Sequence, residues 1–300
     1  MPKVSVIIPT FNRAAFLESA IESVLNQTYN DFEIIIVDDN SSDNTYEVVA
    51  SFKDVRIKYI RHRENKGVSA ARNTAIRVCK GKYIAFLDDD DEWVPEKLQK
   101  QVELQDKSSS NICGVYSDRV IIDRLSNKII SKGLQSNKVR GNLLSQLVMH
   151  NQINTCTVLL RKRCLDDVGL FDETISYMED RDLWIRLSLN WDFEYIDEPL
   201  TRTHIHKQNH LSSRLKEQIE GRKKLLRKYS NLFNKDKKTW SKLTLLQGAQ
   251  YCQLKDIKKG RKNIVKGIKI YPFNFNGYLH LFSALLGIKA YQSLRKWFRS

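Results

Sequence analysis

No two cysteines in this chain of 300 residues stand at C-x-x-C spacing; Cys79, Cys113, Cys156, Cys164 and Cys252 are scattered along it. Neither a zinc site nor a disulfide framework is indicated, and a reducing cytosol suits the thiols best. A P-loop and a G-x-G-x-x-G are both missing, which argues against an ATPase and a dinucleotide dehydrogenase. The first apolar strand is not preceded by a basic segment, a long apolar stretch and a cleavage site, so secretion is not expected. The late segment from Leu279 to Phe298 is rich in apolar residues, yet its longest apolar run falls well short of the ~20 needed to span a bilayer. What is present is 41% hydrophobic residues, which argues against disorder, in a length that allows one or two domains with an ample core.

The net charge of +15 is unevenly divided. From Leu215 to Ser300 there are 21 Lys and Arg against 4 Asp and Glu, whereas residues 1–214 hold 29 against 31. A nucleic-acid groove would be built into the main fold, so no nucleic-acid partner is expected. A basic, aromatic-containing tail suits an anionic membrane surface instead.

Residues 83–93 read YIAFLDDDDEW, a β-prone apolar run that ends in five acidic residues. Like charges at such spacing raise one another's pKa or collect a cation, and a divalent metal is the natural candidate. A solvated acidic turn capping the helix opened by Pro95 is the alternative. The position at the carboxyl end of a buried strand favours a site, because open α/β sheets bind ligands there.

Three similar units precede this stretch. Val4 to Ile8 reads as a strand and Ala14 to Gln27 as a helix; Phe32 to Val37 is a second strand, followed by a helix over Thr45 to Phe52 that Ser42 or Asp43 can cap. Val55 to Arg61 is a third strand and Ala70 to Cys79 the next helix, with Tyr83 to Leu87 the fourth strand. Strands alternating with helices imply a parallel sheet. Thr10 and Asn12, Asp38 and Asp39, Asn65 and Arg72, and Asp88 to Asp91 then fall at one sheet edge, where carboxylates from separate turns would form a nucleotide-binding crevice.

The middle of the chain is less regular. Cys113 to Ser117, Val120 to Ile122, Lys128 to Ser131 and Thr155 to Leu160 read as strands, Gly141 to His150 as a helix, and a short helix stops near Gly169. A half-buried helix carries Glu179 and Asp180 at its N-terminus, where a carboxylate can equally be a plain helix cap; Phe193 to Ile196 and Leu200 to His206 read as closing strands. Beyond them Leu215 to Phe233, Trp240 to Leu254, Ile257 to Ile270 and Leu279 to Phe298 read as basic amphipathic helices, which either meet a membrane or pack on one another. Gly248 and Gly260 sit where one tetratricopeptide-like helix pair would close.

Taken together, VSVIIPTFNR, QTYNDFEIIIVDDNSSDNT, NKGVSAARN, YIAFLDDDDEW and MEDRDLWIRL resemble, in order and spacing, the inverting nucleotide-sugar glycosyltransferases of family 2. The resemblance spans roughly residues 3 to 213. It implies the α/β GT-A fold, Rossmann-like with a mostly parallel sheet flanked by helices, for a catalytic domain over residues 1–214, with an all-helical extension over 215–300. By the same resemblance Pro9, Thr10 and Phe11 line the nucleoside pocket and Asp39 accepts a hydrogen bond from the base. Arg72 sits beside the donor and Asp88 reaches the ribose, while Arg13, Asn65 and Asp89 belong to the same donor site. Asp90 holds Mn²⁺ or Mg²⁺ on the diphosphate, and Asp180 with Glu179 forms the catalytic acidic pair. Relatives carry Tyr-Arg-x-His late in this domain; here Thr201-Arg202-Thr203-His204 keeps the arginine and histidine. His204 is then a diphosphate or metal contact, or else it and His206 are structural. The implied activity moves a sugar, UDP-linked by expectation, to a glycan or lipid-linked acceptor at the cytoplasmic face of a membrane in surface polysaccharide synthesis. A silent nucleotide-sugar-binding scaffold is the alternative, and it has no need of both Asp90 and Asp180.

Overall fold

Every residue of Val4–Thr10 (β1) is buried, the pattern of a strand covered on both faces. In the computed structural model, which describes residues 1–132, 139–205 and 211–287, this strand is followed by α1 (Ala14–Leu25), β2 (Phe32–Asp38), α2 (Thr45–Ser51), β3 (Ile57–Arg61), α3 (Val68–Val78) and β4 (Tyr83–Phe86). The four strands are parallel in the order β3-β2-β1-β4. Leu17, Ala20, Ile21 and Val24 of α1 recur at helical spacing and pack on Val4, Val6, Ile8, Ile34 and Ile36. Parallel pairing brings the carboxyl ends of all four strands to one edge.

The chain continues through β5 (Glu92–Trp93), α4 (Lys97–Lys107), β6 (Ile112–Asp123), β7 (Lys128–Lys132), α5 (Leu144–Met149), β8 (Val158–Arg161), α6 (Arg163–Val168), α7 (Glu179–Ser188) and β9 (Asp192–Ile205). These strands extend the sheet as β4-β8-β6-β9-β5, with β7 on β6. Among the described residues six of the nine strands run in one direction, and β5, β7 and β8 run against them. The result is the mixed, mostly parallel sheet with flanking helices that the resemblance implied.

Several elements differ from the sequence reading. The two strands expected over 113–122 are one, as are the two expected over 193–206. Pairing between β6 and β9 slips around Ser117 to Arg119, which absorbs the polar interruptions that look like breaks in sequence. Helix α5 is shorter than expected because Gly141, with φ of 87°, pairs with Phe193 instead. His206 lies outside the described residues.

Two compact units are formed, residues 1–207 and 208–300; the expected division at 214 falls inside α8 (Leu211–Lys228). The second unit continues with α9 (Ser230–Lys235), α10 (Lys237–Gln253), α11 (Ile257–Ile270) and α12 (Phe275–Leu285). The single helix expected over 215–233 is thus two. A Cβ on Gly248 would stand 2.7 Å from Ile264 and 3.0 Å from the Gly260 carbonyl oxygen, so glycine is what lets α10 and α11 approach. The last helix begins four residues earlier than expected and stops before Gly287, whose φ is 95°; positions 288–298 lie outside the described residues. No described helix is long and apolar enough to cross a membrane.

Gly114 offers a check on the β6–β8 packing that carries the later site residues. A Cβ there would lie 2.6 Å from Leu160 Cδ2 and 2.9 Å from the Leu159 carbonyl oxygen. Gly114→Ala is expected to lower stability by roughly 1–3 kcal/mol, read as a reduced urea midpoint, and an unchanged midpoint would contradict this packing.

Candidate active site

The turns after β1 and β2 are clipped together. Asn12 and Asn40 adopt left-handed backbone (φ 52° and 71°), which asparagine tolerates. The Asn12 amide donates to Ser41 Oγ at 2.9 Å, and its Oδ1 accepts from the Ser42 amide at 2.7 Å. Asp43 accepts from the amides of Ala14 and Thr45, so one carboxylate serves the first turns of both α1 and α2. Asp38, buried, accepts from the Ser41 amide at 2.7 Å and from Tyr59 Oη at 2.5 Å.

Asp39 reaches across to the turn before α3. It accepts from the amides of Lys66 (2.9 Å) and Gly67 (2.6 Å), and lies 2.7 Å from His62 Nδ1. Gly67, at φ 89°, allows that turn. Beside it opens a cavity of about 470 Å³. Pro9, Thr10, Phe11 and Arg13 line it from the β1 turn, Asp39 from β2, Asn65 and Arg72 from the β3 side, and Asp88, Asp89 and Asp90 from β4. Every residue assigned to the donor site from sequence therefore borders this one cavity.

Its floor is built around Arg72, which is buried. Nη2 donates to Asp88 Oδ1 and Nη1 to Glu179 Oε1, both at 2.8 Å, and the guanidinium lies 5.3 Å from the Phe171 ring centroid. Burial opposes its charge, but Asp88 and Glu179 more than compensate and raise its pKa. Asn73, next in α3, exchanges hydrogen bonds with the Phe171 backbone at 2.9 Å in both directions, fixing the segment that leads to α7. Helix α7 is held in turn by Arg181 on the carbonyls of Leu147 and Val148, by Trp184 Nε1 on Ile153, and by Arg186 on the carbonyls of Val168, Gly169 and Leu170. Met178 enters it at φ 69°, a left-handed conformation uncommon for such a side chain.

Asp180 accepts from Asn151 Nδ2 at 2.7 Å. Burial, with Glu179 beside it, lifts its pKa to about 6 against the pull of the Arg181 amide and Asn151. In the β4 turn, burial carries Asp89 to about 7 despite Arg13, and carries Asp91 to about 8 with help from Asp88 and Asp90. Arg13 Nη1 reaches Asp89 at 3.2 Å and Asp90 at 2.7 Å.

Asp88, Asp91 and Cys156 place one donor atom each within 4.8 Å of one another. Two carboxylates suit a hard divalent cation that takes its remaining ligands from phosphate and water. The Cys156 thiol does not: burial pushes its pKa well above the ordinary value, and Sγ already receives the Asp88 amide at 3.3 Å. Asp90 and His204, expected from sequence to meet the ion, are not in this group. Asp90 faces Arg13, and His204 Nε2 lies 3.2 Å from Glu92 while its amide donates to Asp91 at 3.1 Å.

Sequence reading missed Cys156, Asn151, Asn73 and Lys97. The last is fully buried, donates to Gln101 at 2.6 Å and sits 3.9 Å from the centroid of Trp93, whose Nε1 donates to the Cys156 carbonyl. Burial lowers its pKa to about 7. Following a Pro-Glu pair, it reads in sequence as an exposed helix start; Asn73 was inside a recognised block, and the others carry no local signal.

The chain matches the model of Glycosyl transferase family 2 over residues 5–165. It is 30% identical over 260 residues to an uncharacterized glycosyltransferase of Rickettsia prowazekii (strain Madrid E), covering 85% of this chain and 79% of that protein. Identity to the Escherichia coli UDP-Glc:alpha-D-GlcNAc-diphosphoundecaprenol beta-1,3-glucosyltransferase WfgD is 36% over 184 residues, 61% of this chain and 69% of the relative. Among solved structures, residues 1–349 of S. aureus TarS in complex with UDP-GlcNAc give a TM-score of 0.66 at 18% identity, over 99% of this chain and 91% of that one, a likeness of fold.

Replacing Arg72 with Met would leave Asp88 and Glu179 facing each other without their cation. The loss of stability near neutral pH is expected to be ~3 kcal/mol, the low end for a broken buried pair because Asp88 is partly solvated. Urea unfolding at pH 7 checks this; an unchanged midpoint would contradict the bridge.

Proposed function

The chain belongs to glycosyl transferase family 2 and is a transferase with the GT-A fold, and from that premise we propose that it moves a sugar, with inversion, from a UDP-linked donor to a hydroxyl of a lipid-linked or glycan acceptor in surface polysaccharide synthesis. The observation that carries this reading is the continuity of the cleft. Residues from four successive strand ends border one cavity, and Arg72 ties its acidic floor to Glu179, next to Asp180. WfgD, which by its name uses UDP-Glc and a diphosphoundecaprenol-linked GlcNAc, supports the donor and acceptor classes. A lipid-linked acceptor sets the reaction at the cytoplasmic face of a membrane.

In this reading Phe11 and Pro9 border the base, and Asp39 accepts a hydrogen bond from it. An ionised carboxylate is acceptor-only, so it selects a base edge that presents an N–H, as uracil does at N3. Arg13 and Arg72 offset the charge of the diphosphate, with Asn65, Thr10, Asp88 and Asp89 completing the donor site. Asp88 and Asp91, with Asp90 named by the family resemblance, would hold Mn²⁺ or Mg²⁺, which when bound supplies Lewis-acid neutralisation of the leaving diphosphate. His204 borders the same end of the cleft through the Asp91 contact.

Asp180 takes the proton of the acceptor hydroxyl as that oxygen attacks the anomeric carbon and the bond to the diphosphate breaks on the opposite face. Glu179 is committed to Arg72, which leaves Asp180 as the base. With its pKa raised to about 6, it is ionised at pH 7 and yet basic enough to accept a proton.

Three outcomes test the reading. Asp180→Asn is expected to reduce transfer roughly 10²- to 10⁴-fold while UDP affinity is unchanged; retained transfer would remove the base assignment. Because the ionised form is the active one, wild-type turnover is expected to fall as pH drops through about 6. Titration with UDP, GDP and CDP, with and without Mn²⁺, is expected to show tight, metal-dependent binding of UDP, and failure of all three would overturn the nucleotide-sugar donor.

A further inference from the structure

Helix α12 presents its large and small residues the opposite way from a helix buried in a bundle. Phe275, Tyr278, Leu279, Phe282, Leu285 and Leu286 are 46–75% exposed, and at 100° per residue they share one arc of roughly 120°. The buried positions include Gly277, Ser283 and Ala284. This orientation is fixed by packing: a Cβ on Gly277 would lie 2.7 Å from Ile268 and 3.2 Å from Leu245, so the bulky row cannot turn inward. At the other end Arg261 donates to the Ala284 carbonyl from Nη2 at 2.8 Å and from Nε at 3.1 Å. Phe273, just before the helix, is 72% exposed as well.

The surroundings are cationic. Lys258, Lys259, Lys262, Lys266 and Lys269 are exposed on α11, and Lys262 and Lys269 each follow a residue, Arg261 or Ile268, that contacts α12. The sequence beyond Gly287 adds Lys289, Arg295, Lys296 and Arg299 together with Trp297 and Phe298. A helix of about 16 Å is too short to cross a bilayer, and an apolar row flanked by lysines matches a surface whose interior is hydrocarbon and whose headgroups are anionic. We propose that α12 is a docking surface for an anionic lipid bilayer, lying in its interface with the Phe275–Phe282 row inserted and the α11 lysines on the lipid phosphates. The inference stands on the second unit alone and is independent of the donor cleft.

The test is co-sedimentation of the full chain with vesicles of equimolar phosphatidylglycerol and phosphatidylcholine, or of phosphatidylcholine alone. Binding is expected to the first and not the second. Phe275→Ser with Phe282→Ser is expected to weaken it roughly tenfold or more, and Lys258, Lys262, Lys266 and Lys269 changed together to Gln roughly 10³-fold at low salt. All six positions are exposed, so the melting temperature and UDP binding are expected to be unchanged, which separates this inference from the reading of the donor site. No binding to the anionic vesicles at low salt, or binding indifferent to the serine pair, would overturn it. So would a dimer that the serine pair dissociates, since a second copy would then cover the row, or binding that arises only after removal of residues 288–300.

Discussion

A buried guanidinium between two carboxylates is the constraint on which the catalytic unit turns. Asp88, Asp89, Asp90, Asp91, Glu179 and Asp180 come from two distant parts of the chain, and burial already lifts three of them well above the ordinary carboxylate range. Bringing the two groups together would add repulsion to desolvation unless a cation stood between them. Arg72 is that cation, and arginine suits the role because its planar fork can serve two carboxylates at once without losing its proton. Much of the surrounding architecture fixes its position: Asp39 ties the turn before α3, Asn73 ties α3 to the segment entering α7, and three further side chains of α7 anchor that helix.

Much of this was legible in the sequence because a parallel sheet is a strong geometric filter. Once β1 to β4 are recognised as buried strands alternating with helices, their following turns must share an edge, and polar residues in those turns must meet. Thr10, Asp39, Arg72 and Asp88 could therefore be assigned to one cleft without knowing any distance. Local patterning fails where a contact joins residues with no shared period. Cys156 lies 68 positions from Asp88 and Asn151 29 from Asp180, and neither sits in a repeating pattern that points to its partner. The acidic run illustrates the same limit at close range: four successive aspartates look alike in sequence, yet the turn sends Asp90 to Arg13 and Asp91 toward β9.

Periodicity also identifies a helix more readily than it says which way the helix faces. The apolar content of α12 was visible, but either packing or exposure was compatible with it. Glycine decides the matter: Gly277 admits the helix to within a side chain's width of Ile268 and Leu245, as Gly248 and Gly260 admit α11 to α10. Small residues thus set the interior of this unit, and the bulky ones are left outside. A slipped pairing register plays a comparable part in the sheet, where β6 and β9 remain continuous through stretches that look interrupted.

The carboxylate of Asp39 holds the Lys66 and Gly67 amides and sits against His62 while bordering the cavity. The proposed recognition of the base and the folding of the turn that delivers Arg72 consequently draw on one side chain. A lineage that exchanged Asp39 to recognise another base would also lose the anchor of that turn, and several coordinated replacements would be needed before either property recovered. In the proposed reading, donor class is thereby tied to the folding of the turn that carries Arg72 to the cleft.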